Sequence, residues 1–360
     1  TFNESESEIF AMQDSITAEI ARSLSLSLAN DDLLKQRYTQ NLDAYQAYLR
    51  GRLYFDKRTK DGYKEAISSF RLALSKDPNY AIAYSGLADV FSLQANSAGD
   101  IEIRNALYAQ AIDAAEKAIA IDPGIADPHV SLGWVRRTHE WNWSEAENQF
   151  KSAIELDANN VNALQWYALL LSNSGRHEEA IASIEKAKEI APITSIVWQN
   201  SATVYFNSRQ FDKALADLEK AGDVDAEYRL RMPMFRSSFY LQMGRPNEAL
   251  NDIETNLGVD GLDDDLTLFV LGAANFDLNR LDKTKAYIAA LRAKGKSPRL
   301  ALGLLYAHIG QKEDALDELE GLVRMHSDKV VHFGTSPRFD PLRGEPRFEE
   351  MLKRTHLANL

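Results

Sequence analysis

The stretch Val161 to Pro192, VNALQWYALLLSNSGRHEEAIASIEKAKEIAP, constrains this chain more than any other. Two amphipathic runs flank a break at Gly175, and a proline closes the unit. About 34 residues further on, a second copy follows, SIVWQNSATVYFNSRQFDKALADLEKAGDVDA. Ala180, Ile184 and Ala187 of the first copy fall on Ala214, Leu218 and Ala221 of the second. A helix hairpin of this length cannot bury its apolar face alone. It has to stack on neighbours of the same kind, so the pattern predicts an array rather than a globule.

Further copies are legible in both directions. Tyr45, Tyr48, Gly51 and Tyr54, then Ala66, Phe70, Ala73 and Pro78, mark a first hairpin. Tyr84, Leu87, Ala88 and Phe91, then Ala111, Ala115, Ala118 and Pro123, mark a second, with a polar insertion at Gln94–Asp100 that is either a functional loop or a tolerated one. Leu132, Gly133 and Trp134, then Ala146, Phe150 and Ala153, mark a third. Its connection carries Trp141 and Trp143, which are read either as an exposed binding platform or as a plug between helix pairs, the latter favoured. The sixth, with Met234, Tyr240, Gly244, Ala249 and Ile253, lacks a closing proline. The seventh is degenerate, because Thr284 takes the small-residue position. The eighth recovers with Leu302, Gly303, Tyr306, Gly310, Ala315 and Leu319. Small residues let two helices approach, and larger ones fill the space beside them.

The flanks differ. Ile9, Met12, Ile16, Ile20 and Leu24 form one apolar face of a helix within 1–30, with no partner before it. The chain begins at Thr1, which predicts a piece of a longer protein. After the eighth unit comes Ser336–Pro346, too rich in proline for a long helix. A short helix over Arg347–Arg354 then places Phe348, Met351 and Leu352 on one side, as a cap requires. The expected division is 1–40 as the remnant of a preceding domain, 41–325 as the array and 326–360 as a loop and capping helix.

Chemistry is scarce. The net charge of −12 argues against nucleic acid as a direct ligand, since phosphate binding needs a basic stripe. With no cysteine there is no disulfide, thiolate metal site or cysteine nucleophile. No apolar run is long enough to span a membrane. The seven histidines are scattered, and His139-Glu140 lacks the second histidine of a zinc-peptidase motif. His177 opens a helix and is read as a solvent contact. The acidic run Asp260, Asp263, Asp264 and Asp265 lacks the spacing of a calcium loop and reads as a solvated turn. No enzyme activity, metal or cofactor is expected.

Together these units resemble the tetratricopeptide repeat family, whose pattern pairs W-x2-L-G-x2-Y with A-x3-F and a closing proline. The resemblance implies an all-α, right-handed solenoid of about eight hairpins, with an N-terminal helix and a C-terminal capping helix. It also implies a concave groove, lined by the first helix of each pair, that takes a peptide or protein. The stretches SEIFAMQDSITAEIA, AYQAYLRGRLYFDKRT, YAIAYSGLADVFSLQ, HEWNWSEAENQFKSAIELDA and PRFDPLRGEPRFEEMLKR further resemble the C-terminal halves of bacterial multidomain signalling proteins. There the array follows a ToxR-type winged-helix domain, a class III cyclase or a serine/threonine kinase, often with a TolB-like domain between. That resemblance implies a sensory or scaffolding half, on the cytoplasmic or periplasmic side of a membrane-anchored parent.

The candidate groove residues are those on first-helix faces not spent on packing: Trp134, Arg137, Gln165, Leu169, Asn173, Gln199, Thr203, Phe206, Asn207, Met234 and Ser238. Amides pair with the backbone of an extended peptide, while Phe206 and Met234 offer apolar contact. Alanine at Trp134, Asn173 and Asn207 is expected to weaken partner binding without lowering stability. The partner is a peptide, another protein or the chain's own N-terminal output domain. Two other readings stand beside this one: self-association as a homodimer, and small-molecule sensing in the cavity of the superhelix.

Overall fold

Four repeat boundaries are set by an aspartate side chain, at Asp77, Asp122, Asp157 and Asp225. The computed structural model describes residues 39–98, 100–257, 263–295 and 299–358. The apolar helix expected within 1–30 lies outside the described residues. Among those described the chain is all α-helical, without strands. Sixteen helices form eight consecutive hairpins, α1 (Leu42–Asp56) with α2 (Lys60–Lys76), α3 (Ala81–Asn96) with α4 (Ile101–Ile121), and α5 (Asp127–Thr138) with α6 (Trp143–Leu156). They continue with α7 (Val161–Asn173) and α8 (His177–Ile190), α9 (Ser195–Asn207) and α10 (Phe211–Val224), and α11 (Ala226–Gln242) and α12 (Pro246–Asn256). The last two pairs are α13 (Asp265–Asp277) with α14 (Leu281–Ala293), and α15 (Arg299–His308) with α16 (Lys312–Arg324). Two 3-10 helices (Asp328–Phe333 and Pro337–Leu342) and α17 (Pro346–Arg354) follow. The chain divides into two compact units, Thr1–Ser131 and Leu132–Leu360.

Proline alone does not end the second helices. Asp77 and Asp122 precede Pro78 and Pro123 in extended conformation, as proline demands of its predecessor. Asp157 adopts the same conformation with no proline after it. In all three cases the carboxylate accepts from the backbone N–H two residues on, at Asn79, Gly124 and Asn159. Asp225 does the same at Glu227 and caps α11. The aspartate turn is therefore the recurring stop signal, and proline reinforces it. Within hairpins the turn needs a left-handed residue, supplied by Gly175, Gly244 and Gly310 but also by Arg209 and Asn279.

The close approach of helices is visible at the glycines. A methyl group on Gly51 would stand 2.4 Å from the Phe70 ring, and one on Gly86 would stand 2.6 Å from the same ring. In the second unit a methyl on Gly133 would meet Phe150 at 2.7 Å. Ala66, Ala146, Ala180 and Ala214 are fully buried at the matching positions of the second helices. The degenerate seventh hairpin keeps this geometry, because the buried Thr284 hydroxyl donates to the Gly272 carbonyl. A polar atom at a small-residue position is tolerated once its hydrogen bond is made.

The first unit also holds a buried carboxylate. Asp89 on α3 accepts from Ser131 and pairs with Arg52 at 3.5 Å. Burial, with Asp127 nearby, pushes its pKa up to about 6, against the opposing pull of Arg52, Ser131 and Arg58.

Two outcomes follow from these contacts. Gly133→Ala should lower the unfolding free energy by about 1–3 kcal/mol through overpacking against Phe150, read by urea denaturation. Asp89 binds its proton more tightly folded than unfolded. Its protonation therefore stabilises at low pH, and that contribution is lost as pH rises through about 6. The stability of Asp89→Asn relative to the parent should accordingly fall by about 1–3 kcal/mol between about pH 7.5 and 4.5. A difference constant with pH would show that Asp89 titrates normally.

Candidate binding groove

In the second unit successive first helices pack on one another, α7 on α9, α11 on α13 and α13 on α15. They form the inner layer of the stack. Side chains about one repeat apart link them. The Asn200 amide donates to Gln165 at 2.8 Å, the Asn207 amide to Ser172 at 3.1 Å, and the Arg137 guanidinium to Asn173 at 2.8 Å. Trp134 lies on Trp166 with centroids 4.6 Å apart, and Phe206 stacks on Phe239 at 4.3 Å.

The inner face is not bare. A segment that starts at Ser327 folds back, and its residues from Gly334 to Arg338 lie against this face. Thr335 donates to the Ser172 carbonyl at 2.6 Å, and Gly334 lies against the Asn173 backbone. Arg338 donates to the Ser238 hydroxyl at 2.7 Å while its guanidinium sits over the Phe206 ring. Arg209, in its left-handed turn, holds Asp340 through two bonds of 2.8 and 2.7 Å. Further on, Trp143 donates to the Thr355 carbonyl at 2.8 Å, and Trp141 stacks on His326 at 3.8 Å. The two tryptophans are buried packing residues, and the surface they meet is the C-terminal segment rather than an adjacent helix pair alone. The segment has its own core of Phe333, Phe339 and Phe348. α17 is anchored to α16 by Arg347 with Glu313 and Asp317, and by Arg354 with Glu320.

The eleven residues named from sequence therefore sit as follows. Arg137, Gln165, Asn173, Phe206, Asn207 and Ser238 are buried, and Trp134, Leu169, Gln199, Thr203 and Met234 are half-buried. Gln199, Thr203, Phe206 and Asn207 line one cavity, together with His332, Ser336, Arg338 and Phe339 of the segment. Met234 lines an adjoining one with Phe235 and Lys329. Sequence reasoning missed every contribution of the segment. Its signal was composition alone, a proline-interrupted stretch with buried-type aromatics at Phe333 and Phe339. His177, expected to face solvent, is half-buried with its Nδ1 enclosed and without a partner. Asp264, in the acidic run, is the N-cap of α13 and accepts from Leu266 and Thr267.

The electrostatics of this face are cationic in a chain of net charge −12. Burial lowers the pKa of Arg137 to about 10, with only Asp328 opposing it. Burial alone lowers that of Arg338 to about 10. His332 is pushed down to about 3 by burial and by Arg137, Arg338 and Lys329, so it stays neutral.

Comparison with known proteins agrees with this geometry. The sequence model described as tetratricopeptide repeat matches residues 150–182, which run from α6 through α7 into the first half of α8. The fold is that of a tetratricopeptide repeat array. Among solved structures, a human IFIT1 dimer with PPP-AAAA is similar over 79% of this chain and 72% of that one, with a TM-score of 0.54 and 15% identity. At that identity the likeness concerns the fold alone. Two curated relatives come from Schizosaccharomyces pombe. Anaphase-promoting complex subunit 3 is 24% identical over 44% of this chain, which spans 22% of that protein. Superkiller protein 3 is 23% identical over 54% of this chain, which spans 14% of that protein. Tetratricopeptide repeat proteins generally mediate protein or peptide interactions. No helix among the described residues is long and apolar enough to cross a membrane.

The Arg137–Asn173 pair changes one expectation. Asn173→Ala leaves a buried guanidinium without its acceptor, and should lower the unfolding free energy by about 1–3 kcal/mol. Urea denaturation checks this. Stability equal to the parent would mean that water replaces the amide.

Proposed function

We propose that this chain is a non-enzymatic interaction array, the sensory or regulatory half of a bacterial signalling or transcription-regulatory protein. One observation carries the reading. The inner face of the second unit already holds a polypeptide from outside the hairpins, its own segment around Thr335 and Arg338, by hydrogen bonds to Ser172 and Ser238 and by contact with Phe206. A surface that accommodates one short turn-rich segment through such bonds suits recognition of another. The partner is an extended segment of another protein or of the parent's own output domain. The candidate contacts are the half-buried members of the face, Trp134, Leu169, Gln199, Thr203 and Met234, with the buried ones shaping it.

Photo-cross-linking tests the location. A benzophenone amino acid placed at Leu169 or Thr203 in the native host should capture a partner. The same group at Glu189, exposed on α8, should not. Equal capture from Glu189 would move the site off the inner face. Capture of a second copy of the chain would instead favour self-association.

A further inference from the structure

The C-terminal segment does not fill the inner face completely. Between it and α9, α11, α13 and α15 remains a cavity of about 380 Å³. That is within the range of small-molecule sites. Its walls are largely apolar, with Phe206, Phe235, Phe239, Phe339, Leu300 and Leu304. Its polar groups are neutral or cationic. Arg338, His332, Ser336, Gln199, Thr203 and Asn207 reach it, and no aspartate or glutamate lines it.

Arg338 is the one arginine that lines this cavity. One guanidinium nitrogen donates to Ser238, but its Nε is enclosed and has no acceptor. Among the described residues no carboxylate pairs with it. The Ser336 hydroxyl beside it is 2% exposed as a residue and also has no partner. Unsatisfied donors next to an unneutralised cation are costly to bury, and rare unless something occupies the space they face. An anion would accept from the Arg338 Nε and from Ser336 together. Guanidinium matches a carboxylate in geometry and charge better than any neutral acceptor does. The apolar walls then call for a body that is not hydrated. An inorganic ion leaves most of the cavity unfilled.

We propose that this cavity is a binding site for a small organic carboxylate with an apolar body, gripped by Arg338 and Ser336 and enclosed by the aromatic walls. Because His332, Ser336, Arg338 and Phe339 of the C-terminal segment line the site opposite the helices, the ligand fastens that segment to the inner face. The site stands independently of the partner reading, since it is tested on the isolated chain.

Isothermal titration of the full chain with 4-phenylbutyrate and octanoate, each against its primary amide, reads the site directly. The acids should bind at least about tenfold tighter than the amides, as a charge-assisted pair implies. Hydrogen exchange over 328–342 should slow when an acid is added. Arg338→Met should bring acid and amide within about twofold of each other, leaving the amide affinity in place. Should that variant not fold, Ser336→Ala serves, and is expected to weaken the acids several-fold and the amides little. Acid and amide binding alike, no binding by either acid, or inorganic phosphate matching the acids would each overturn the assignment. So would a tripeptide ending in a free carboxylate that binds where the small acids do not.

Discussion

A phenyl ring resting on the glycine of a neighbouring helix is the contact on which the rest of this chain depends. Phe70 against Gly51 and Gly86, and Phe150 against Gly133, leave no room for even a methyl group. Close approach of that kind turns a helix pair with a thin apolar stripe into a unit that stacks. Stacking in turn brings successive first helices together as a layer, and on that layer the amide pairs Asn200–Gln165 and Asn207–Ser172 can form. The groove chemistry is thus a product of hairpin packing, and disturbing the ring–glycine contact would loosen both.

Much of this was legible because it is local. A period of about 34 residues fixes which positions are small, which are large and where the turns fall. The hairpins, the packing role of the tryptophan pair and the buried face of α17 could be read from the chain. The covering of the inner face could not. Thr335 and Ser172, Arg338 and Ser238, and Trp143 and Thr355 are 163, 100 and 212 residues apart, and no periodicity joins them. The residues named for the groove have first-helix faces that the repeat pattern leaves unspent. Some of them, such as Arg137 and Asn173, are spent on each other, a pairing visible only when adjacent hairpins are in register. The aspartates that end the second helices were overlooked beside the prolines, although Asp77, Asp122 and Asp157 recur as regularly.

The charge of the chain and the charge of the groove run in opposite directions. The chain as a whole carries a surplus of carboxylates, as suits a helical array in water. The face beneath the C-terminal segment collects Arg137, Arg338 and a neutral His332 with little acid to balance them. Holding cations without carboxylate partners is unfavourable unless the site has a use for their field. Peptide recognition by the face and anion recognition within it share Gln199 and Thr203 but differ in their other contacts. Trp134, Leu169 and Met234 lie outside the cavity that Arg338 and Ser336 line.

The order in which the chain is made gives the C-terminal segment a further significance. Hairpins α5/α6 through α15/α16 are complete once residue 324 has been synthesised, and each is held by contacts with its immediate neighbours. The residues that cover their inner face come afterwards. At ribosomal rates the interval until the last of them emerges is on the order of seconds. During that interval the array can be folded and its inner face bare. A newly made molecule therefore passes through an uncovered state that a mature one reaches only by releasing Thr335, Arg338 and Trp143 from their partners.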